Sequence, residues 1–206
     1  MSGEPGCRTI INSCWHNGNK DLRRRFAKKP KKRMRTKPAV TKRLMELKGG
    51  FDKWKSEHTS SKRDFRPAYV LLHSFAHLLI TAVSLECGYP ASSLRERIYA
   101  LPAIGYGVLI YTGSSDAEGT LGGLVEVGRR IADVIRAALD LGQLCSNDPV
   151  CSQHVPANAN EARFLQGAAC HGCVLISETS CEAQNELLDR ALVVKTVHGV
   201  GAEFFN

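Results

Sequence analysis

The sequence predicts an α/β fold: a single domain with a C-terminal cysteine-rich, zinc-tied subdomain and a basic, largely disordered N-terminal arm. Three observations carry that prediction. Charge divides unevenly between the two ends of the chain; a strand, a glycine-rich loop and an amphipathic helix follow one another between residues 107 and 142; and five of the eight cysteines crowd between positions 145 and 181. Strand, loop and amphipathic helix in succession is the signature of α/β architecture.

The arm comes first. The chain has 206 residues, 43% of them hydrophobic, enough for one domain of ordinary size plus a tail, or for two small domains. Residues 1–66 hold 20 Lys+Arg against 6 Asp+Glu, while residues 67–206 hold 8 against 14, so the formal charge of +8 hides a basic arm joined to a mildly acidic domain. In RRRFAKKPKKRMRTKP the prolines Pro30 and Pro38 break helix, and the stretch has too little apolar surface to offset the entropy of ordering. Its cations Arg23, Arg24, Arg25, Lys28, Lys29, Lys31, Lys32, Arg33 and Arg35 are candidates for neutralising nucleic-acid phosphates, a sequence-blind and salt-sensitive mode of binding. Trp15, Phe26 and Trp54 are candidates for stacking on bases. The competing reading is a solvated tail without a partner. A short helix is expected around TKRLMELKGGFDKW, residues 41–54, anchored by Leu44, Leu47 and Trp54.

The folded part, residues 67–206, is expected to begin near Arg66-Pro67. Residues 69–86 are apolar on nearly every face, with His73 and His77 interrupting the run, and read as a buried core helix rather than a membrane span. The N-terminus lacks the basic, apolar and small-residue order of a secretory signal, so the cytoplasm is the expected compartment and disulfides are not the expected framework. Ser93 and Glu96 stand at capping-box spacing and predict the start of a short helix. GVLIYT, 107–112, predicts a buried strand. The loop GSSDAEGTLGG follows, with Asp116 and Glu118, then one helix over 124–142 burying Leu124, Val127, Ile131, Val134, Ile135 and Ala138. Beyond it, residues 143–194 lack apolar periodicity and need something other than a core to hold them. VLIS, 174–177, reads as a strand or an extended turn, Thr179 and Glu182 as the cap of a helix over 182–192, and 193–201 as an edge strand or tail.

The cysteines supply the missing constraint. Cys145 and Cys151 form a Cys-x5-Cys, Cys170 and Cys173 a Cys-x-x-Cys, and Cys181 follows. Zinc favours such an arrangement, because four thiolates close a tetrahedron and tie loops that have no core. Small apolar filling and thioredoxin-like redox chemistry are the alternatives; the latter wants its Cys-x-x-Cys at a helix start after a strand. Cys170, Cys173 and Cys181 are the safer ligands, with Cys145 or Cys151 completing the set, and His154 or His171 leaves open a site of three cysteines and one histidine. Four protein ligands leave no position for water, so the site is structural rather than catalytic. His73 and His77 sit four apart on one helical face, which is ligand spacing, but HSFAH lacks the glutamate of a zincin and reads first as a pair of satisfied core histidines. Asp116 and Glu118 read first as helix-capping acids, ahead of an anion site at the helix N-terminus.

Taken together, YVLLHSFAHLLI, SLRERIY, GVLIYTGSSDAEGTLGGLVEVG, CSNDPVC and GAACHGCVLISETSCEAQNELLDRAL resemble the MrfA-like zinc-binding domain, a cysteine-rich module at the C-terminal end of certain DNA helicases. The resemblance spans residues 66–194 and is nearest to the form of the module in DrmB, a component of the DISARM anti-phage defence system. It implies zinc on Cys170, Cys173 and Cys181, ahead of an Asn-x-x-Leu-Asp-Arg segment at 185–190. It also implies partnership with a DNA helicase or another defence-system subunit. No GxxxxGK[ST] segment occurs, so no nucleotide hydrolysis is expected. The leading expectation is a non-enzymatic zinc-binding accessory module. The alternatives are a metal-dependent hydrolase or nuclease built on His73, His77, Asp116 and Glu118, or a fragment of a larger DrmB-like protein.

Overall fold

The computed structural model describes residues 37–101, 105–112, 120–158 and 162–205. The arm cations Arg23 to Arg35, the aromatics Trp15 and Phe26, and the loop acids Asp116 and Glu118 all lie outside the described residues. What is described mixes helices with a small antiparallel sheet.

Helix α1 (Pro38–Glu57) and helix α2 (Pro67–Cys87) both open on a proline, whose fixed φ suits the first helical turn and whose missing N–H is not needed there. In α2, fifteen residues from Ala68 to Val83 are buried, so the helix is the spine of the core rather than one of its walls. Gly88 ends it in the left-handed conformation, φ 70°, which a glycine adopts without a Cβ clash. Against α2 pack the strands β1 (Leu94–Leu101) and β2 (Gly105–Thr112), and the helices α3 (Thr120–Arg129) and α4 (Ile131–Gln143).

Several expectations change here. After a 3-10 turn at Ala91–Ser93, LRERIYAL is a strand, not a helix: Leu94, Glu96, Ile98 and Ala100 face inward while Arg97, Tyr99 and Leu101 face out, the period of two that defines a half-buried strand. Its partner β2 runs antiparallel, with Glu96 opposite Ile110 and Ile98 opposite Val108, so the sheet is a hairpin and not part of a strand–helix–strand unit. The helix expected over 124–142 is two helices that break at Arg130, where φ −105° and ψ 23° leave the helical range.

The C-terminal stretch is largely irregular. In place of a helix over 182–192 the chain forms turns and one 3-10 segment, Arg190–Leu192. Local side-chain bonds outcompete the helix. Asn185 grips the backbone of Ile176 from both sides, donating through Nδ2 to its carbonyl (2.8 Å) and accepting from its N–H at Oδ1 (3.1 Å). Asn185 takes φ 60° to do so, a conformation asparagine tolerates better than most residues. Residues 174–177 and 193–201 form no strand; Phe204 and Phe205 instead donate their N–H groups to the carbonyls of Leu192 and Val193.

Helix α1 lies within the stretch read as the arm, and it is docked. Val40, Leu47 and Phe51 are buried, and Arg43, 3% exposed, reaches the carboxylate of Asp189, 0% exposed, through Nε (2.8 Å) and Nη2 (3.2 Å). Gly50 lets the helix backbone approach closely: a Cβ there would lie 2.5 Å from the Pro156 side chain and closer still to the Phe164 carbonyl.

Candidate metal centre

Four thiols meet where α4 ends. Cys145 follows the C-cap residue Leu144, Cys151 sits in the one-turn helix α5 (Val150–Gln153), and Cys170 and Cys173 flank a tight turn. In that turn the Cys170 carbonyl accepts from the N–H groups of Cys173 (3.0 Å), Val174 (3.2 Å) and Leu175 (3.2 Å). Gly172 stands at its tip, where a Cβ would lie 2.5 Å from the Ser146 hydroxyl and would make that side chain turn away.

The four Sγ atoms lie within 4.8 Å of one another, with 3.4 Å between Cys145 and Cys170, 3.6 Å between Cys170 and Cys173, and 3.7 Å between Cys151 and Cys173. Four sulfurs at about 2.3 Å from one zinc would stand about 3.8 Å apart. All four cysteines are free thiols. The arrangement is therefore a near-closed tetrahedron rather than a pair of disulfides.

A buried arginine ties the knot to the core. Arg190, 0% exposed, clasps both carboxylate oxygens of Asp148 (2.6 and 2.5 Å) and donates to the Gly142 carbonyl (3.0 Å), so the loop carrying Cys145 and Cys151 is fastened to the chain beyond Cys181. Contact with the Cys151 thiol, aided by the Arg190 charge, holds the Cys173 thiol well below the usual range, to about 5, and the same contact pushes Cys151 up. Burial raises Cys145 to about 11. One thiolate is thus favoured before metal arrives, and the metal must displace the remaining protons.

Cys181 lies elsewhere. It stands with His73, His77 and Glu96 in a second cluster of four donors, all buried and all within 4.8 Å of one another. His154 and His171 join neither group: His154 turns Nε2 toward the Arg163 carbonyl (3.2 Å) and His171 is exposed. The grouping among the described residues is thus Cys145, Cys151, Cys170 and Cys173, where the sequence favoured Cys181 as a member. The two histidines of the hydrolytic alternative do converge, but on Glu96 and Cys181, with no exposed surface of their own.

Glu96 was missed because a carboxylate on the inward face of a strand breaks the apolar alternation that would reveal the strand. The signal was nonetheless present in Leu94, Ile98 and Ala100 at spacings of four and two. In the absence of a cation, burial disfavours charge throughout this cluster. Even so, contact with Cys181 and Glu96 lifts His73 to about 10, and the two imidazoles hold Glu96 down to about 2 and Cys181 to about 7.

Residues 75–174, which include all four clustered cysteines, match the MrfA Zn-binding domain; the chain carries that zinc-binding domain, and the tetrahedral thiol set is the feature of the structure suited to hold the ion. A particular relative is the DISARM protein DrmB of Bacillus paralicheniformis, 48% identical over 140 residues. That alignment covers 67% of this chain and 24% of DrmB, so the chain spans about a quarter of its relative's length.

Proposed function

We propose that this chain is a non-enzymatic, zinc-tied accessory module of a DISARM-like phage-defence or DNA-processing assembly in the bacterial cytoplasm. On this reading residues 67–206 form the module, its surface docks a DNA helicase or another subunit of the same system, and the basic stretch around Arg23 to Arg35 contacts nucleic acid. The observation that supports it best is the 48% identity to DrmB, in a chain whose matched domain contains the closed four-thiol cluster. A saturated four-cysteine site offers no open coordination position, which suits scaffolding and not hydrolysis. The burial of His73 and His77 points the same way, because a phosphodiester could not reach them.

The test is reconstitution. The full chain is mixed with a DNA helicase of a DISARM-like system, and complex formation is measured by size-exclusion chromatography with light scattering. DNA affinity is measured by fluorescence anisotropy across a salt series. Co-elution of the two proteins, with an affinity for DNA that falls steeply with salt and flattens when the cations from Arg23 to Arg35 are neutralised, is the expected result. Metal-dependent DNA cleavage by the chain alone, or no association with the helicase, would overturn the proposal.

A further inference from the structure

We propose that His73, His77, Glu96 and Cys181 form a second metal site, separate from the four-cysteine cluster, that takes one divalent ion of the zinc class. Three elements build it. The i, i+4 spacing on α2 sets both imidazoles on one face, ring centroids 4.5 Å apart and nearly perpendicular; β1 points Glu96 inward; and Cys181 follows the 3-10 turn Glu178–Ser180. His73 Nε2 lies 2.9 Å from Glu96 Oε1 and 3.1 Å from Cys181 Sγ, and His77 Nε2 lies 3.3 Å from the same carboxylate oxygen.

Such distances alone would also suit a hydrogen-bonded core network. The groups around the cluster bear on the choice. His77 Nδ1 is 2.7 Å from the Val174 carbonyl and His73 Nδ1 is 3.3 Å from the Leu187 carbonyl. A carbonyl only accepts, so each Nδ1 carries a hydrogen, which leaves Nε2 as the ring atom turned into the cluster, where either a proton or a metal ion must join it to the acidic groups. That outer contact is the usual support of a metal-binding histidine. Cys181 Sγ in turn accepts from the backbone N–H groups of Asn185 (3.1 Å) and Ala183 (3.3 Å), which supports a thiolate.

The carboxylate and the sulfur at the centre are acceptors, and Glu96 Oε2 is buried with no hydrogen-bond partner. All four residues are 8% exposed or less, so water does not compensate. With Cys181 as a thiolate beside the Glu96 carboxylate, the cluster needs two positive charges. Two protons would set two imidazolium rings 4.5 Å apart inside an apolar core. One divalent ion supplies the same charge without that repulsion and takes up the free carboxylate oxygen.

The donor set fits zinc, which accepts imidazole nitrogen, thiolate and carboxylate in a tetrahedron. Binding releases any proton left on the thiol or the imidazole Nε2 atoms, and the dication then balances one thiolate and one carboxylate. A neutral site of this kind suits the middle of the core. The four-cysteine site, with four thiolates around a dication, carries excess negative charge and lies instead at the edge, beside Arg190.

The test is metal stoichiometry in the full chain purified without added metal, by inductively coupled plasma mass spectrometry, paired with zinc X-ray absorption. Two equivalents of zinc, with an average of between two and three sulfur ligands per ion, is the expected result, since five sulfurs would serve two ions. One equivalent with four sulfur ligands in a folded protein would overturn the proposal and leave a proton-filled network. Cys181→Ser and Glu96→Gln should each lose one equivalent and raise the average sulfur count toward four. Because either variant can fail to fold, the wild-type stoichiometry decides by itself.

Discussion

Arg43→Ala is the substitution whose cost the structure defines most closely. The Asp189 carboxylate has no exposed surface; Oδ1 accepts from the N–H of Ala168 (2.9 Å), the N–H of Ala191 (3.2 Å) and Arg43 Nη2 (3.2 Å), while Oδ2 accepts from Arg43 Nε (2.8 Å). Truncating Arg43 leaves Oδ2 without that donor and the buried charge without its counter-ion. Removing one partner of such a pair costs about 3–5 kcal/mol, whereas an exposed ion pair contributes about 0–1 kcal/mol. For a chain of this size the melting temperature should fall by about 6–20 °C. The assay is urea unfolding with zinc held in constant excess, followed by tryptophan fluorescence in a Trp15→Phe background, which leaves Trp54 on α1 as the reporter. Asp189→Asn keeps an acceptor for the two N–H groups and should be less costly to those contacts, so a double-mutant cycle isolates the charge pairing. A loss below about 1 kcal/mol for Arg43→Ala would refute the reasoning, and with it the docking of α1 by a desolvated ion pair.

Other substitutions test other joints. Gly50→Ala reverses the usual sign: alanine in a helix interior is normally about 1 kcal/mol better than glycine, but here the new Cβ meets Pro156 and Phe164, so a loss of about 1–3 kcal/mol is expected in the same urea titration. Cys173→Ser should lose the zinc of the four-cysteine cluster, measured by mass spectrometry, and with it the cooperative unfolding transition, because binding a structural zinc is part of the folding free energy. Acidification should act in the same direction. Protons compete with zinc for the four thiolates, so a colorimetric chelator should detect zinc release as the pH falls. Asn185→Ala removes both bonds to the Ile176 backbone and places a Cβ-bearing residue without a polar side chain at φ 60°, so a loss of about 2–4 kcal/mol in thermal unfolding is expected.

What could be read in the sequence was whatever depends on neighbours along the chain. Residues 69–86 announced a buried helix because no face of it is polar, and 107–112 announced a strand because its apolar run is short and bounded by turns. The hairpin partner was hidden by two coincidences. Glu96 stands on the inward face, and Ser93 three residues before it imitates a helix cap. The stretch 182–192 has helical composition, yet Gln184, Asn185 and Leu187 take positive φ values that no helix allows, and Asn185 is drawn off to Ile176. The cysteines showed that thiols gather, but not which ones gather together. Spacing assigns Cys181 to the Cys-x-x-Cys beside it, whereas the path of the chain carries it back to α2, more than a hundred positions earlier. Asp189 and Arg43 are farther apart still, and neither carries any local mark of its partner.

The short span from Cys173 to Cys181 has a consequence for which insertions the chain can accept. One end lies in the thiol tetrahedron and the other against the imidazoles of α2, while between them the Val174 carbonyl faces His77 and the Ile176 backbone is gripped from both sides by Asn185. The span therefore works as a ruler. Adding or deleting one residue would slide Val174 and Ile176 out of register and pull one cluster out of shape to preserve the other. Length variation among related chains should therefore fall outside this span, and a gap placed between these two cysteines should mark a chain that no longer builds both clusters.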